Sequence, residues 1–218
     1  MKFILVVVLG FGFKMQAQTP AFYHLTTADG LSDNNVYDAV RDKNGIVWIA
    51  TLEGLNSFDG NRITKYYKHQ YPQMAGNTID QILVDGNNYV WLRGLTNEIT
   101  MIDAKRRFHL YRVGDTADRA RVNNLFYLDS KGIVALKDRK HYVIQNTSER
   151  ALRKLEMPGD SILPSVITYV CKMKGDTMLY WGRNVLVAYD FKNMKPLFKI
   201  SVPRIQGIVQ LNDDEAMA

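Results

Sequence analysis

The feature that most constrains this 218-residue chain is an internal repeat. Trp48 in IVWIAT has its counterpart at Trp91 in YVWLRG, then at Ala135 in IVALKD and Tyr180 in MLYWGR, at intervals of 43, 44 and 45 residues. A second echo runs ahead of it through Val36, Ile79, Val122 and Val166, spaced 43, 43 and 44. A period of roughly 40–50 residues with about four strands per unit is that of a propeller blade. Such a unit cannot bury its apolar faces alone, so neighbouring units must stack.

One copy reads as four strands, lettered A to D. VYDAVRD (Val36 to Asp42) is β-rich and makes strand A. Asp42-Lys43-Asn44-Gly45 is a hairpin turn, because Asn-Gly supplies the positive φ a tight turn needs. IVWIAT (Ile46 to Thr51) is strand B, apolar at nearly every position, as expected of a strand buried on both faces. After Leu52-Glu53-Gly54, LNSFD (Leu55 to Asp59) is strand C, and Asp59-Gly60-Asn61 is a second turn. RITKYY (Arg62 to Tyr67) suits an outer edge strand.

The expected architecture is therefore all-β, built of β-propeller blades of four antiparallel strands. Blades are predicted at about 30–67, 77–111, 121–155 and 165–200, with the start of the next at 206–218. About four blades and part of a fifth match no closed ring of about six to eight. The expectation is an incomplete, open arc from the N-terminal part of a longer protein. FYHLTT (Phe22 to Thr27) reads as a spare outer strand ahead of blade one.

Residues 1–18 read as a secretory signal peptide. Lys2 precedes an apolar run of 11 residues, FILVVVLGFGF, and small residues follow near Ala17. Eleven residues are too few to span a bilayer as a helix. Loss of Lys2 and Lys14 with the leader lowers the formal net charge from +6 to +4. A mildly basic exported protein is a poor candidate for nucleic-acid work. The basic runs Lys105 to Arg107 and Arg150 to Lys154 fall at turns or outer strands and read as solvated. The lone Cys171 allows no internal disulfide and reads as a small buried hydrophobe.

Catalytic constellations are missing from the pattern. His24, His69, His109 and His141 are widely spaced and form no metal-ligand pair, so neither metal nor cofactor is expected. No nucleophile elbow, zinc-protease helix or phosphate loop occurs. The aspartates at 42, 59, 85, 103, 129 and 190 recur at turns, where their carboxylates bond nearby backbone amides. Trp48 and Trp91 share one position inside strand B and read as core between blades.

Blade one resembles a known family. GLS at Gly30 to Ser32, Val36, Asp42 to Gly45, VWIAT at Val47 to Thr51, Gly54-Leu55 and FDG at Phe58 to Gly60 closely resemble the two-component regulator propeller repeat. Blade two keeps Asp85, Val90, Trp91 and Asp103, with Asn97 where a glycine would stand. Blades three and four keep only the spacing and the apolar pattern. The resemblance implies a periplasmic sensor of a hybrid two-component protein of the Bacteroidetes type. There, two seven-blade propellers precede a β-sandwich, an inner-membrane helix and a cytoplasmic histidine kinase. Oligosaccharides from glycan breakdown, the remaining blades, the downstream domains and a second copy in a homodimer are the partners so implied. This segment itself is expected to be non-catalytic. An exported interaction scaffold and a propeller lyase or glycosidase remain as other readings.

Blade geometry suggests a site. B–C turns and D–A connections face one end of a propeller. The predicted B–C turns hold Glu53, Arg93, Arg139 and Arg183, and the D–A connections add Asn34, Asn35, Asn77, Arg121, Asn123 and Asn124. Arginine forks and amides suit carboxylate, sulfate or sugar hydroxyl groups. Arg93, Arg139, Arg183, Asn77, Arg121 and Asn123 are therefore the candidate ligand-binding residues, for an anionic or uronate-type glycan. The competing reading is of ordinary solvated loops.

Overall fold

The computed structural model describes residues 24–115, 117, 119–144, 151–182, 184–202, 209–210 and 216–217. The predicted leader lies outside them. Blade one is one antiparallel sheet of β1 (Val36–Arg41), β2 (Val47–Thr51), β3 (Gly54–Phe58) and β4 (Ile63–Tyr66), in that order. Blade two comprises β5 (Ile79–Val84), β6 (Val90–Gly94), β7 (Glu98–Ile102) and β8 (Phe108–Val113). Blade three comprises β9 (Asn124–Leu128), β10 (Gly132–Lys137), β11 (Lys140–Ile144) and β12 (Ala151–Leu155). Blade four comprises β13 (Tyr169–Lys172), β14 (Thr177–Gly182), β15 (Val185–Asp190) and β16 (Lys195–Ser201). A short antiparallel pair, β17 (Val209–Gln210) with β18 (Ala216–Met217), follows where a fifth copy was expected.

The A–B turn shows why Asp and Trp recur together. Asp42 Oδ1 accepts the backbone N–H groups of Asn44 and Ile46 at 2.9 and 3.0 Å. Its Oδ2 accepts the Trp48 indole N–H at 3.1 Å. Asp85 repeats this with Asn87, Tyr89 and Trp91 at 2.9, 3.0 and 2.9 Å. One carboxylate thus closes the hairpin and satisfies the only polar atom of a tryptophan that is 1% exposed in blade one and 3% in blade two. The turn also requires one left-handed residue, supplied by Gly45 (φ +86°), Asn88 (φ +63°) and Gly132 (φ +72°) in successive blades.

The apolar core lies between blades rather than within them. Trp48, Leu55 and Tyr66 of blade one pack with Ile79, Leu92 and Phe108 of blade two. Trp91 and Tyr111 of blade two meet Leu125, Ala135 and Leu152 of blade three. Leu136 and Val143 of blade three meet Tyr180, Val187 and Tyr189 of blade four. Strand B is buried almost throughout, as its apolar sequence requires.

Polar bonds fix the registration of these layers. Asp38 on β1 accepts Ile82 N–H on β5 at 2.8 Å. Gln81 on β5 accepts Leu125 N–H at 2.8 Å and donates to Leu125 C=O at 2.9 Å. Strand C carries a buried polar residue at the same register position in three blades: Asn56, Thr100 and His141, opposite Ile49, Leu92 and Leu136. Asn56 Oδ1 accepts Ser32 N–H at 2.9 Å, which docks the GLS segment onto blade one. Thr100 accepts Ala75 N–H at 2.8 Å in the same manner. His141 instead hydrogen-bonds the Tyr180 hydroxyl of blade four at 2.7 Å.

Three features differ from the sequence reading. His24 to Thr26 form no strand, and Thr26 caps a short 3-10 turn at Thr27–Asp29, with Asp29 accepting Thr26 N–H at 2.9 Å. Capping satisfies those amides locally and removes the need for a partner strand; Phe22 and Tyr23 lie outside the described residues. Blades two and three share one eight-stranded sheet, because β8 pairs with β12 in parallel at Arg112↔Ala151 and Val113↔Leu152. This pairing satisfies edge groups that two separate outer strands would leave open. Finally, β13 starts at Tyr169 and β9 at Asn124, a few residues after the repeat echoes at Val166 and Val122, whereas β1 and β5 start on theirs. β1 and β5 carry a register shift at Val36/Asp38 and Ile79/Gln81, and none interrupts the β9–β10 pairing.

Two expected outcomes follow from these bonds. Asp42→Ala removes three hydrogen bonds and strands a buried indole N–H, so stability to urea should fall by about 2–3 kcal/mol. Burial lowers the His141 pKa from 6.5 to about 4. The unfolded state then binds this proton more readily, so stability present above pH 6.5 is lost as pH falls toward 4, by roughly 3 kcal/mol in all. His141→Gln, which cannot titrate, should show a flatter stability profile across that window.

Candidate functional site

The largest convergence of the candidate residues is a cleft of 560 Å³ between blades three and four. This is within the range of small-ligand sites. Blade three contributes Arg121, Asn123 and Asn124 from the entry to β9, Leu136 from β10, and Asp138-Arg139 from the β10–β11 turn. Blade four contributes Ser165 to Val170, the last part of the D–A connection and the start of β13.

Local structure holds both walls. Asn123 N–H donates to Leu136 C=O at 2.7 Å, and its side-chain oxygen accepts Asp138 N–H at 3.0 Å. The entry to β9 is thereby tied to the B–C turn. That turn has two residues, with Lys137 opposite Lys140. Asp138 and Arg139 both adopt positive φ, 47° and 65°, a conformation for which Asn-Gly is the usual choice. Arg139 Nη2 lies 3.4 Å from Leu163 C=O, a long contact that leaves most of the exposed guanidinium to solvent. On the opposite wall, Met157 and Leu163 anchor the D–A connection in the core. Thr168 N–H donates to Trp181 C=O at 2.7 Å. Gly182 is required beside it, since a Cβ there would collide with Val166 C=O and Pro164.

Arg121, Asn123 and Arg139 are thus brought together, with Asn124. The other candidates lie elsewhere. Arg93 is not in a B–C turn: it belongs to β6, is 9% exposed, and is equivalent to Ala50 and Lys137 rather than to Arg139. Its Nε donates to Gln81 Oε1 and its Nη1 to Val122 C=O, both at 3.1 Å. Nη2 lies 3.1 Å from Asp80 Oδ1. That oxygen accepts no well-aligned hydrogen bond, so the contact is an ion pair by distance alone. Burial pulls the Arg93 pKa below its ordinary value, while Asp80 opposes the shift. Arg93 clamps blade two to blade three. β6 ends at Gly94, 43 residues after the end of β2 at Thr51, so the repeat spacing itself puts Arg93 inside strand B rather than in the turn.

Asn77 accepts Lys68 N–H at 2.7 Å in the connection between blades one and two. Asn34 accepts Thr27 N–H at 2.8 Å. Neither lines the cleft, and Arg183 lies outside the described residues. Trp48 and Trp91 are interior. Cys171 is half-buried rather than fully buried, and desolvation raises its thiol pKa. Among the described residues no group of three or more His, Cys, Asp or Glu is placed to hold a metal ion.

Sequence reasoning missed Asp138, Ser165, Thr168 and Tyr169. In the sequence Tyr169 is one member of an apolar stretch, VITYVCKM, and carries no motif of its own. Its place at the start of strand A, beside a D–A connection, was the available signal. The structure leaves it 55% exposed, with its ring stacked on that of Trp181 at 5.2 Å and 9°.

Comparison with known proteins bears on the first blade most directly. The family model "Two component regulator propeller" matches residues 30–53, so blade one carries that repeat. A segment of 63 residues is 40% identical to "Histidine kinase P4" of Formosa agariphila, covering 29% of this chain and 5% of that protein. The extracellular domain assigned to the hybrid two component system BT4673 of B. thetaiotaomicron superposes with a TM-score of 0.61 at 17% identity, over 82% of this chain and 27% of that one. Virginiamycin B lyase from Staphylococcus aureus gives 0.60 at 15% identity, over 84% and 62%. PorZ, a surface component of the type-IX secretion system of Porphyromonas gingivalis, gives 0.57 at 16%, over 79% and 23%. At these identities the structural matches establish the propeller fold, which serves unrelated functions.

The two arginines should respond oppositely to substitution. Arg93→Ala leaves buried polar groups unpaired and should destabilise the chain by about 3 kcal/mol. Arg139→Gly relieves a left-handed non-glycine residue at about 1–2 kcal/mol but adds unfolded-state freedom at about 0.5–1. A net gain of roughly 0.5 kcal/mol in urea unfolding is expected.

Proposed function

We propose that this chain is part of the exported ligand-sensing propeller of a two-component signalling protein, and that it binds oligosaccharides released from glycans. The cleft between blades three and four is the proposed binding site, and acidic sugars are its proposed ligands. The observation that carries the reading is the convergence of Arg121, Arg139, Asn123 and Asn124 on that cleft, with Asp138 as the opposing carboxylate among its lining residues. Two guanidinium groups against one carboxylate favour a ligand with a carboxylate or sulfate, and amides suit the hydroxyls around it.

The repeat in blade one supports the signalling context, and the basic-apolar-small pattern of residues 1–18 supports export to the periplasm. No helix among the described residues is long and apolar enough to cross a membrane. Anchoring in the inner membrane, dimerisation and kinase output would belong to further parts of the complete protein. A sensor of this design works if the ligand binds one arrangement of the blades better than another. The cleft suits that role because its walls come from two different blades.

Calorimetric titration with neutral and uronate-containing oligosaccharides tests the proposal. Uronate oligomers should bind, more weakly at high salt, and Arg121→Ala with Arg139→Ala should reduce affinity by at least tenfold, about 1.4 kcal/mol. Equal binding of neutral and acidic sugars, unchanged in the double variant, would sink it.

A further inference from the structure

We infer that Tyr169 is a stacking platform on which the cleft reads the flat face of a sugar ring; the inference rests on the oligosaccharide reading above. Tyr169 opens β13 and stands directly opposite Trp181 of β14. Their rings lie 5.2 Å apart and within 9° of parallel. The other two tryptophans meet tyrosines at a tilt, 33° for Trp48–Tyr66 and 49° for Trp91–Tyr111, inside the core. Trp181 is 5% exposed and covers one face of Tyr169, while the tyrosine itself is 55% exposed. The result is an aromatic ring whose orientation is set from behind and whose surface is open.

The surroundings define what that surface takes. Val166, 48% exposed, adds a second apolar element to the same cleft. Asn123, Asn124, Ser165 and Thr168 add hydrogen-bonding groups, and Arg121 and Arg139 add positive charge. A free anion such as phosphate needs the arginines but makes no use of an open aromatic face. A pyranose carrying a carboxylate uses both. Its C–H face, partially positive, meets the negative face of the π-system, and its rim of hydroxyls and its anionic group meet the polar groups around it. A sugar ring can lie on Tyr169 and Val166 without requiring a dry site.

The test uses the 218-residue chain with trigalacturonate, galactotriose and inorganic phosphate as probes. Trigalacturonate should bind the unsubstituted protein, and the Trp181 emission should change on binding. Tyr169→Ala should weaken that binding about tenfold, as should Tyr169→Leu, which keeps apolar bulk without a flat face. Tyr169→Phe should stay within about threefold. Trp181→Phe should retain most of the affinity and lose most of the emission change. Trigalacturonate binding that is unaltered in both Tyr169→Ala and Tyr169→Leu overturns the platform and leaves the oligosaccharide reading standing. Binding of phosphate with an affinity equal to that of trigalacturonate overturns the platform as well. Failure of both sugars to bind the unsubstituted chain overturns the oligosaccharide reading and the platform with it.

Discussion

Each blade of this chain is a single thin sheet with apolar side chains on both faces, and such a sheet is stable only when another lies against it. Trp48 and Leu55 are covered by blade two, Trp91 by blade three, and Leu136 by blade four. Stability is therefore a property of the interfaces, in the manner of a one-dimensional stack. It also explains why strand B is the most uniformly apolar segment of every repeat: it sits in the interior of the sheet, with a layer on each side.

Burial of that kind has a polar cost, and the chain meets it at fixed places. The turn carboxylates Asp42 and Asp85 satisfy both their hairpins and the indoles that the interfaces bury. Where the tryptophan is replaced by Ala135 in blade three, the arrangement changes. Asp176 of blade four accepts the backbone N–H groups of Asp129 and Ser130 at 2.6 and 2.9 Å and so spans the blade boundary. Blades three and four thus keep the fold with different polar partners, including the His141–Tyr180 pair. The sequence drift between blades is tolerated because area and shape at the interface are preserved while the hydrogen-bond pairs are exchanged.

The cleft arises from the same layered construction. It opens where the two-residue turn of blade three and the long connection into blade four reach the same end of the stack. Its lining residues come from chain segments about 15 and 45 residues apart on the repeat scale, and they meet because adjacent blades are superposed copies. Asp138 and Arg139 hold in left-handed backbone a two-residue turn that Asn-Gly makes with less strain.

The repeat spacing, the Asp-x-x-Gly turns and the apolar strand B were legible in the sequence, because each is a local requirement repeated about every 44 residues. They determined the propeller blades and most strand positions, and they marked Arg121, Asn123 and Arg139 as lying toward one end. Tertiary structure alone decided which of these side chains are available. Arg93 and Arg139 look alike in the sequence, yet Arg93 stands two repeat positions earlier, inside strand B and in the interior against Asp80 and Gln81, and Arg139 stands in the turn at the surface of a cleft. Tyr169 and Tyr180 both lie in apolar strands, yet Tyr180 is 0% exposed and Tyr169 is 55% exposed. Strand alternation tells which residues share a face but not which face another blade will cover, and that depends on contacts between segments about one repeat apart.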